Sequence, residues 1–237
     1  MEIATRIRAG IFDFDGVLIP SPLHTIIRIR RAAKMAGVFV PAIKIIRECW
    51  DQVLEEIFTN FVRVGIWSMI DYQKFIINFN TIHREPFPMV AGVMETLKRL
   101  KEAGIELTIV SSRSGNGSFD MAFPTLRSVA QQSQIDLEIF GHIQTAEDHK
   151  FMKPDSRVFE PTLLYLDKLG IKLEEILVIG DTTDYDFAAA NNHRPPLQFV
   201  AVNSMISLPS DFVIAGLPRN LIIERITDLP KVLQFFP

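Results

Sequence analysis

The chain has 237 residues, 48% of them apolar and 22% charged, with a formal net charge of −3. That is enough apolar material for the core of one large domain or of a domain carrying an insertion, and it argues against disorder and against a general nucleic-acid surface. The single cysteine, Cys49, can form neither an internal disulfide nor a thiolate zinc cage, and no long apolar run precedes residue 13, which together suit a cytoplasmic protein without a membrane span.

The first predicted strand is "AGIF", 9–12, and it runs directly into "DFDG". Strands disfavour aspartate, and a buried carboxylate needs a partner or a metal, so Asp13 and Asp15 demand an explanation. From Pro22 to Asn80 the pattern is helical throughout. "HTIIRIRRAAKMAG" stops at Gly37, Pro41 opens the next helix, "IKIIRECWDQVLEEIFTNFVRV" continues it, and "SMIDYQKFIINFN" forms another. His24, Arg28 and Arg31 share one helix face, which reads as solvated, while Trp50, Phe58, Phe61 and Trp67 read as the core of this region. Pro86 and Pro88 mark the way out, along a linker over 84–89. Strand–helix alternation then resumes. A helix is predicted over 90–104, a strand over 105–110, a helix over 156–170, a strand over 175–180, a helix over 186–192, a strand over 197–202 and a further strand over 211–216. This order predicts an α/β fold: a Rossmann-like parallel sheet flanked by helices, with residues 1–20 and 86–237 as the core domain and 21–85 as an inserted all-helical domain. His83, His142, His149 and His193 lack paired ligand spacing and read as loop or surface residues.

Four features fall at the C-terminal ends of predicted strands or just beyond them, the edge at which open α/β sheets bind ligands. They are Asp13 with Asp15, Ser111 followed by Ser112 and Arg113, Lys153 in "KPDSRVF", and Asp181 with Asp186 in "GDTTDYD". Asp13, Asp15 and Asp181 offer hard oxygen ligands suited to Mg²⁺, with a lysine to offset their charge. A serine hydroxyl and loop N–H groups can hold phosphate oxygens. A carboxylate can attack phosphorus, and a second one can protonate the leaving oxygen. Asp184 competes with Asp186 as the second acidic residue of its loop, and Asp186 is preferred because "DFAAA" continues as a helix.

These four features, in this order, resemble the motifs of the haloacid dehalogenase-like hydrolase superfamily, in particular its branch of phosphoglycolate phosphatase and beta-phosphoglucomutase type. The resemblance implies that Asp13 is the nucleophile and an Mg²⁺ ligand, and that Asp15 is the general acid/base and a ligand through its backbone carbonyl. It implies that Ser111 binds the transferring phosphoryl group and that Lys153 bridges phosphate and nucleophile. Asp181 would hold Mg²⁺, with Asp186 behind it or reaching the metal through water. Ser112 and Arg113 are further candidates for substrate contact. The helical insertion would be the family's cap, which closes over the site and selects the substrate. Pro20 stands where many capped relatives carry an aspartate. Relatives that cleave carbon–halogen or carbon–phosphorus bonds lack a carboxylate at the position of Asp15, so its presence favours phosphate esters. The expectation is therefore an Mg²⁺-dependent phosphatase for a small phosphorylated metabolite, working through an aspartyl-phosphate as a monomer or homodimer. A phosphomutase of the same fold and a non-catalytic binding protein are the alternatives.

Overall fold

A computed structural model describes residues 7–48, 54–83, 85–88, 90–115, 124–148 and 150–233. Cys49, Trp50, Arg84, Met89 and His149 therefore lie outside the described residues. The chain divides into two compact units, Met1–Pro20 with Phe87–Pro237, and Ser21–Pro86.

The first unit is built on six strands: β1 (Ala9–Phe12), β2 (Glu106–Val110), β3 (His142–Gln144), β4 (Ile176–Gly180), β5 (Gln198–Val202) and β6 (Ile222–Ile223). They pair in the order β3-β2-β1-β4-β5-β6, and every pairing is parallel. β1 and β4 are buried at every residue, which explains why they read as apolar runs without alternation: both faces of the sheet are covered. Phe12 stands level with Ile109 and with Ile179, so the chain leaves β1, β2 and β4 at one common edge. The strand order reverses between β1 and β4, and a crevice opens at such a point in this class of sheet.

The Ser21–Pro86 unit holds α1 (Ser21–Ala36), α2 (Ile43–Glu48), α3 (Leu54–Arg63) and α4 (Met69–Ile82). α1 ends where Gly37 turns into the left-handed region at φ 67°, a conformation that costs a residue without Cβ very little. α4 begins with a reciprocal cap in which the Asp71 N–H donates to Ser68 Oγ at 3.1 Å and the Ser68 N–H donates to Asp71 Oδ2 at 3.0 Å. The core of the unit is aromatic. Phe58 packs edge-on against Phe75 at 4.6 Å between centroids, and Trp67 contacts Phe61 at 5.0 Å.

The helix face of His24, Arg28 and Arg31 is solvated only in part, because Arg28 is not. Arg28 is buried and donates to the backbone carbonyls of His83 at 3.0 Å and Pro86 at 3.1 Å, and also to that of Glu85. These carbonyls lie past the end of α4, where helical partners run out, and the guanidinium fork supplies donors in their place. Arg31 pairs with Glu85 at 2.8 Å on the exposed side, and His24 is only partly covered. His83 is a second correction: it is buried and stacks on Phe79 rather than lying at the surface.

Around the sheet lie α5 (Val93–Glu102), α6 (Leu126–Gln132), α7 (Glu160–Lys168), α8 (Ala188–Asn192), α9 (Pro209–Ile214) and α10 (Leu229–Leu233). The segment 211–216, expected as a strand, belongs mostly to α9. Pro209 occupies its first turn, the Asp211 carboxylate accepts from the Leu208 N–H at 2.7 Å, and Phe212 is buried while Ile214 is 85% exposed. One-sided burial of an apolar run is what a surface helix gives.

Replacing Arg28 by alanine strands several backbone carbonyls and should cost about 2 kcal/mol, whereas Arg31→Ala, which removes an exposed pair, should cost less than about 0.5 kcal/mol. Urea unfolding of the two variants checks this; equal midpoints would show that the Arg28 contacts carry no net stability.

Candidate active site

The loop after β1 is part of the sheet before it is part of the site. The Asp13 N–H still donates to Ile179 O at 2.8 Å, extending the β1–β4 ladder by one residue. Asp13 and Asp15 are each partly exposed, while Phe14 between them is fully buried. The chain turns at once, with the Leu18 and Ile19 N–H groups both donating to Phe14 O, at 3.0 and 3.1 Å. Gly16 sits at φ +81°, and a Cβ there would lie 2.0 Å from Asp181 Oδ2. Only glycine lets this loop close down on the carboxylate that follows β4.

Lys153 joins the two halves. Its ammonium donates to Asp13 Oδ1 at 2.9 Å and to Asp186 Oδ1 at 2.6 Å, with the lysine and Asp186 side chains almost wholly buried. The other oxygen of Asp186 accepts from the Asp181 N–H at 3.2 Å, the Thr182 N–H at 3.1 Å and the Thr182 hydroxyl at 2.6 Å. Asp186 thus spends its acceptors on holding the turn after β4. Asp184, its competitor in the sequence, is exposed.

Asp13, Asp181 and Asp186 place carboxylate oxygens within 4.8 Å of one another. If all were ionised, one ammonium would face three carboxylates. Burial pushes the Asp13 carboxyl up to about 7, against the pull of Lys153 and with the push of Asp186 and Asp15. Burial likewise raises Asp181 well above the usual carboxylate range, with Asp186 and Asp13 adding to it. Burial acts against the charge of Lys153, but Asp13 and Asp186 outweigh it and hold the group above its usual value. Asp181 Oδ2 is buried and receives no hydrogen bond. A buried carboxylate oxygen with no donor, beside a second carboxylate, is what an oxygen-binding divalent cation would satisfy, so the donor set fits Mg²⁺.

The remaining predicted residues lie on the loop after β2. Ser111 is buried; its N–H donates to Gln144 O at 3.0 Å and its Oγ accepts from the Arg113 N–H at 3.1 Å. Ser112 is exposed. Arg113 grips Asp15 side-on, Nε to Oδ2 at 2.7 Å and Nη2 to Oδ1 at 2.6 Å. Burial opposes its charge, yet Asp15 holds the guanidinium above its usual value.

One residue of this region was not read from the sequence. Glu147, after β3, accepts from the Gly115 N–H at 2.7 Å, the Thr145 hydroxyl at 2.9 Å and the Ser114 hydroxyl. The Gly115 N–H, followed by the Ser114 hydroxyl, holds its carboxyl at about 2. It ties the Ser111–Gly115 stretch to the turn after β3. Its signal is an acidic residue just beyond a strand, and that strand is only three residues long.

A family model described as haloacid dehalogenase-like hydrolase matches residues 10–202. The chain is 24% identical over 230 residues to a phosphoglycolate phosphatase of Agrobacterium fabrum, covering 86% of this chain and 87% of that one. Among solved structures, a candidate beta-phosphoglucomutase from Thermotoga maritima superposes with a TM-score of 0.67 at 19% identity, covering 96% and 99% of the two chains. A variant of CbbY from Rhodobacter sphaeroides, solved with xylulose-(1,5)bisphosphate, gives 0.61 at 18% identity over 94% and 96%. At such identities these two likenesses establish the fold.

The raised Asp13 carboxyl predicts a pH dependence in the presence of chelator. Between pH 3.8 and about 7 the folded chain keeps a proton that the unfolded chain has lost, so this group's contribution to stability falls as pH rises through that window. Asp13→Asn has nothing to titrate there, so its melting temperature minus that of the parent should grow from pH 4.5 to pH 7.5. A constant difference would show that Asp13 titrates normally.

Proposed function

Since the chain belongs to the haloacid dehalogenase-like hydrolase family, we propose that it is an Mg²⁺-dependent phosphatase that hydrolyses a small phosphomonoester through an aspartyl-phosphate on Asp13. The observation that carries this reading is the buried set at the strand-order reversal, where Lys153 bridges Asp13 and Asp186 while Asp181 Oδ2 lacks a donor.

In this reading an oxygen of Asp13 attacks phosphorus as the bond to the leaving oxygen breaks, and Asp15 gives that oxygen its proton. A water molecule then attacks the aspartyl-phosphate. Asp15 takes the proton back, and inorganic phosphate leaves with Asp13 restored. Lys153 stays beside the nucleophile and offsets negative charge as the phosphoryl group approaches. Ser111, at the end of β2, would hold a phosphoryl oxygen, with Ser112 as a further contact. Asp13, Asp181 and the Asp15 carbonyl would hold Mg²⁺, with Asp186 fixing the turn behind them; the cation would supply positive charge facing the phosphate and keep Asp13 ionised. The Ser21–Pro86 unit is proposed as the substrate-selecting cap.

The phosphoglycolate phosphatase of Agrobacterium supports a small phosphorylated acid as substrate, and the bisphosphate bound to CbbY supports a phosphorylated sugar. The likeness to a candidate beta-phosphoglucomutase keeps phosphoryl transfer between sugar hydroxyls as the second reading. Product analysis separates the two: free phosphate for a phosphatase, an isomeric sugar phosphate for a mutase.

A panel of small phosphate esters assayed with Mg²⁺ and with EDTA tests the proposal. Phosphate release that needs the metal is expected. Asp13→Asn should lower kcat by more than about a thousandfold while the far-UV circular dichroism stays that of the parent. Undiminished turnover in Asp13→Asn would remove Asp13 as nucleophile.

A further inference from the structure

Arg113 carries more of the site than its place among substrate contacts suggests. Both oxygens of Asp15 are engaged by one guanidinium in a side-on pair, which fixes the plane of the carboxylate as well as its place. The guanidinium is itself held from behind. Its Nη1 donates to Pro124 O at 2.8 Å, and the Phe87 ring lies 5.9 Å beneath it.

The backbone that presents Arg113 is equally fixed. Its N–H goes to Ser111 Oγ at 3.1 Å, and its carbonyl accepts from the Ala146 N–H at 3.1 Å. The next carbonyl, of Ser114, accepts from the Leu126 N–H at 2.8 Å. The Ser114 hydroxyl and the Gly115 N–H both run to Glu147. A side chain so placed at root and tip has little freedom to swing toward a substrate.

We infer that Arg113 is a positioning residue: it sets where the Asp15 carboxylate stands, and Glu147 sets where Arg113 stands. This rests on the acid/base role proposed above for Asp15. A side-on pair uses one lone pair on each carboxylate oxygen, so it does not by itself exhaust the acceptors through which Asp15 would carry the proton to the leaving oxygen. Arg113 then acts on the bond that breaks without touching the phosphoryl group. Lysine cannot replace it, because a single ammonium cannot fix the carboxylate plane.

Leaving-group chemistry tests this. Loss of a proton donor hurts an alkyl phosphate, whose alkoxide must be protonated, far more than p-nitrophenyl phosphate, whose phenolate leaves unaided. Arg113→Met and Arg113→Lys should each lower kcat/KM, which reads only the steps up to release of the leaving group, by about a hundredfold or more on glycerol phosphate and by less than about fivefold on p-nitrophenyl phosphate. Asp15→Asn should show the same contrast, and adding Arg113→Met or Arg113→Lys to Asp15→Asn should cost less than about threefold more. Equal losses of kcat/KM on both substrates, or a full Arg113 penalty on top of Asp15→Asn, would overturn the inference and make Arg113 a direct substrate ligand. If Asp15→Asn alone shows no contrast, the acid/base assignment fails by its own result. In that background a contrast persisting in the Arg113 variants would place Arg113 on the leaving group, which overturns the inference separately. Arg113→Lys retains the charge and guards against a folding failure of Arg113→Met, and melting curves identify either.

Discussion

A buried ammonium between two carboxylates is the constraint on which the site turns. Lys153 is reached from a loop far along the chain, yet it ties Asp13, at the end of β1, to Asp186, beyond β4. Removing one member of a buried charge pair costs about 3–5 kcal/mol, because the charge left behind has no water to turn to. The lysine is therefore both a structural clamp and the only cation within hydrogen-bonding distance of Asp13 among the described residues. Its charge is not sufficient for three carboxylates, and the shortfall appears as the raised Asp13 and Asp181 carboxyls and as an Asp181 oxygen without a donor. A polypeptide that builds such a shortfall into a tightly packed sheet edge has, in effect, specified the charge of what it binds.

The acidic residues divide the work by the partners they are given. Asp186 has its oxygens committed to Lys153, to two backbone N–H groups and to a hydroxyl, so it shapes the turn. Asp15 faces a guanidinium, Asp13 an ammonium, and Asp181 has an oxygen with neither. Three of these residues read alike in the sequence as aspartates beyond apolar strands. Their environments make them different reagents, which is how one side-chain type can be asked to do several jobs within a few ångströms.

Much of this is legible in the sequence. β1, β2, β4 and β5 announce themselves as short apolar runs because both faces of the sheet are covered, and the level strand ends follow from parallel pairing around β1. β3 and β6, three and two residues long, lie at the sheet edges and are too short for a pattern to emerge. α9 reads as a strand in the sequence because an apolar run of that length has no period of its own; Pro209 and the Asp211 cap decide it. Arg28 looked like part of a charged stripe, since helical spacing shows which residues share a face and not what that face meets. The pairing of Arg113 with Asp15 joins residues 98 apart, and no local pattern records such a contact. The same holds for Glu147, whose role becomes visible only once β2 and β3 lie side by side.

The strand order has a consequence for how the chain comes into being. β1 precedes every other strand but occupies the interior of the sheet, with β2 along one edge and β4 along the other. As the chain leaves the ribosome, the segment bearing Asp13 emerges with both hydrogen-bonding edges open and its apolar side chains bare. One edge is filled only after Glu106–Val110 has been made, and the other only after Ile176–Gly180. For most of its synthesis the nascent chain therefore carries a strand with at least one unpaired edge next to its acidic residues, the kind of surface that chaperones shield. Pairing across such long separations also places this domain among the slower folders.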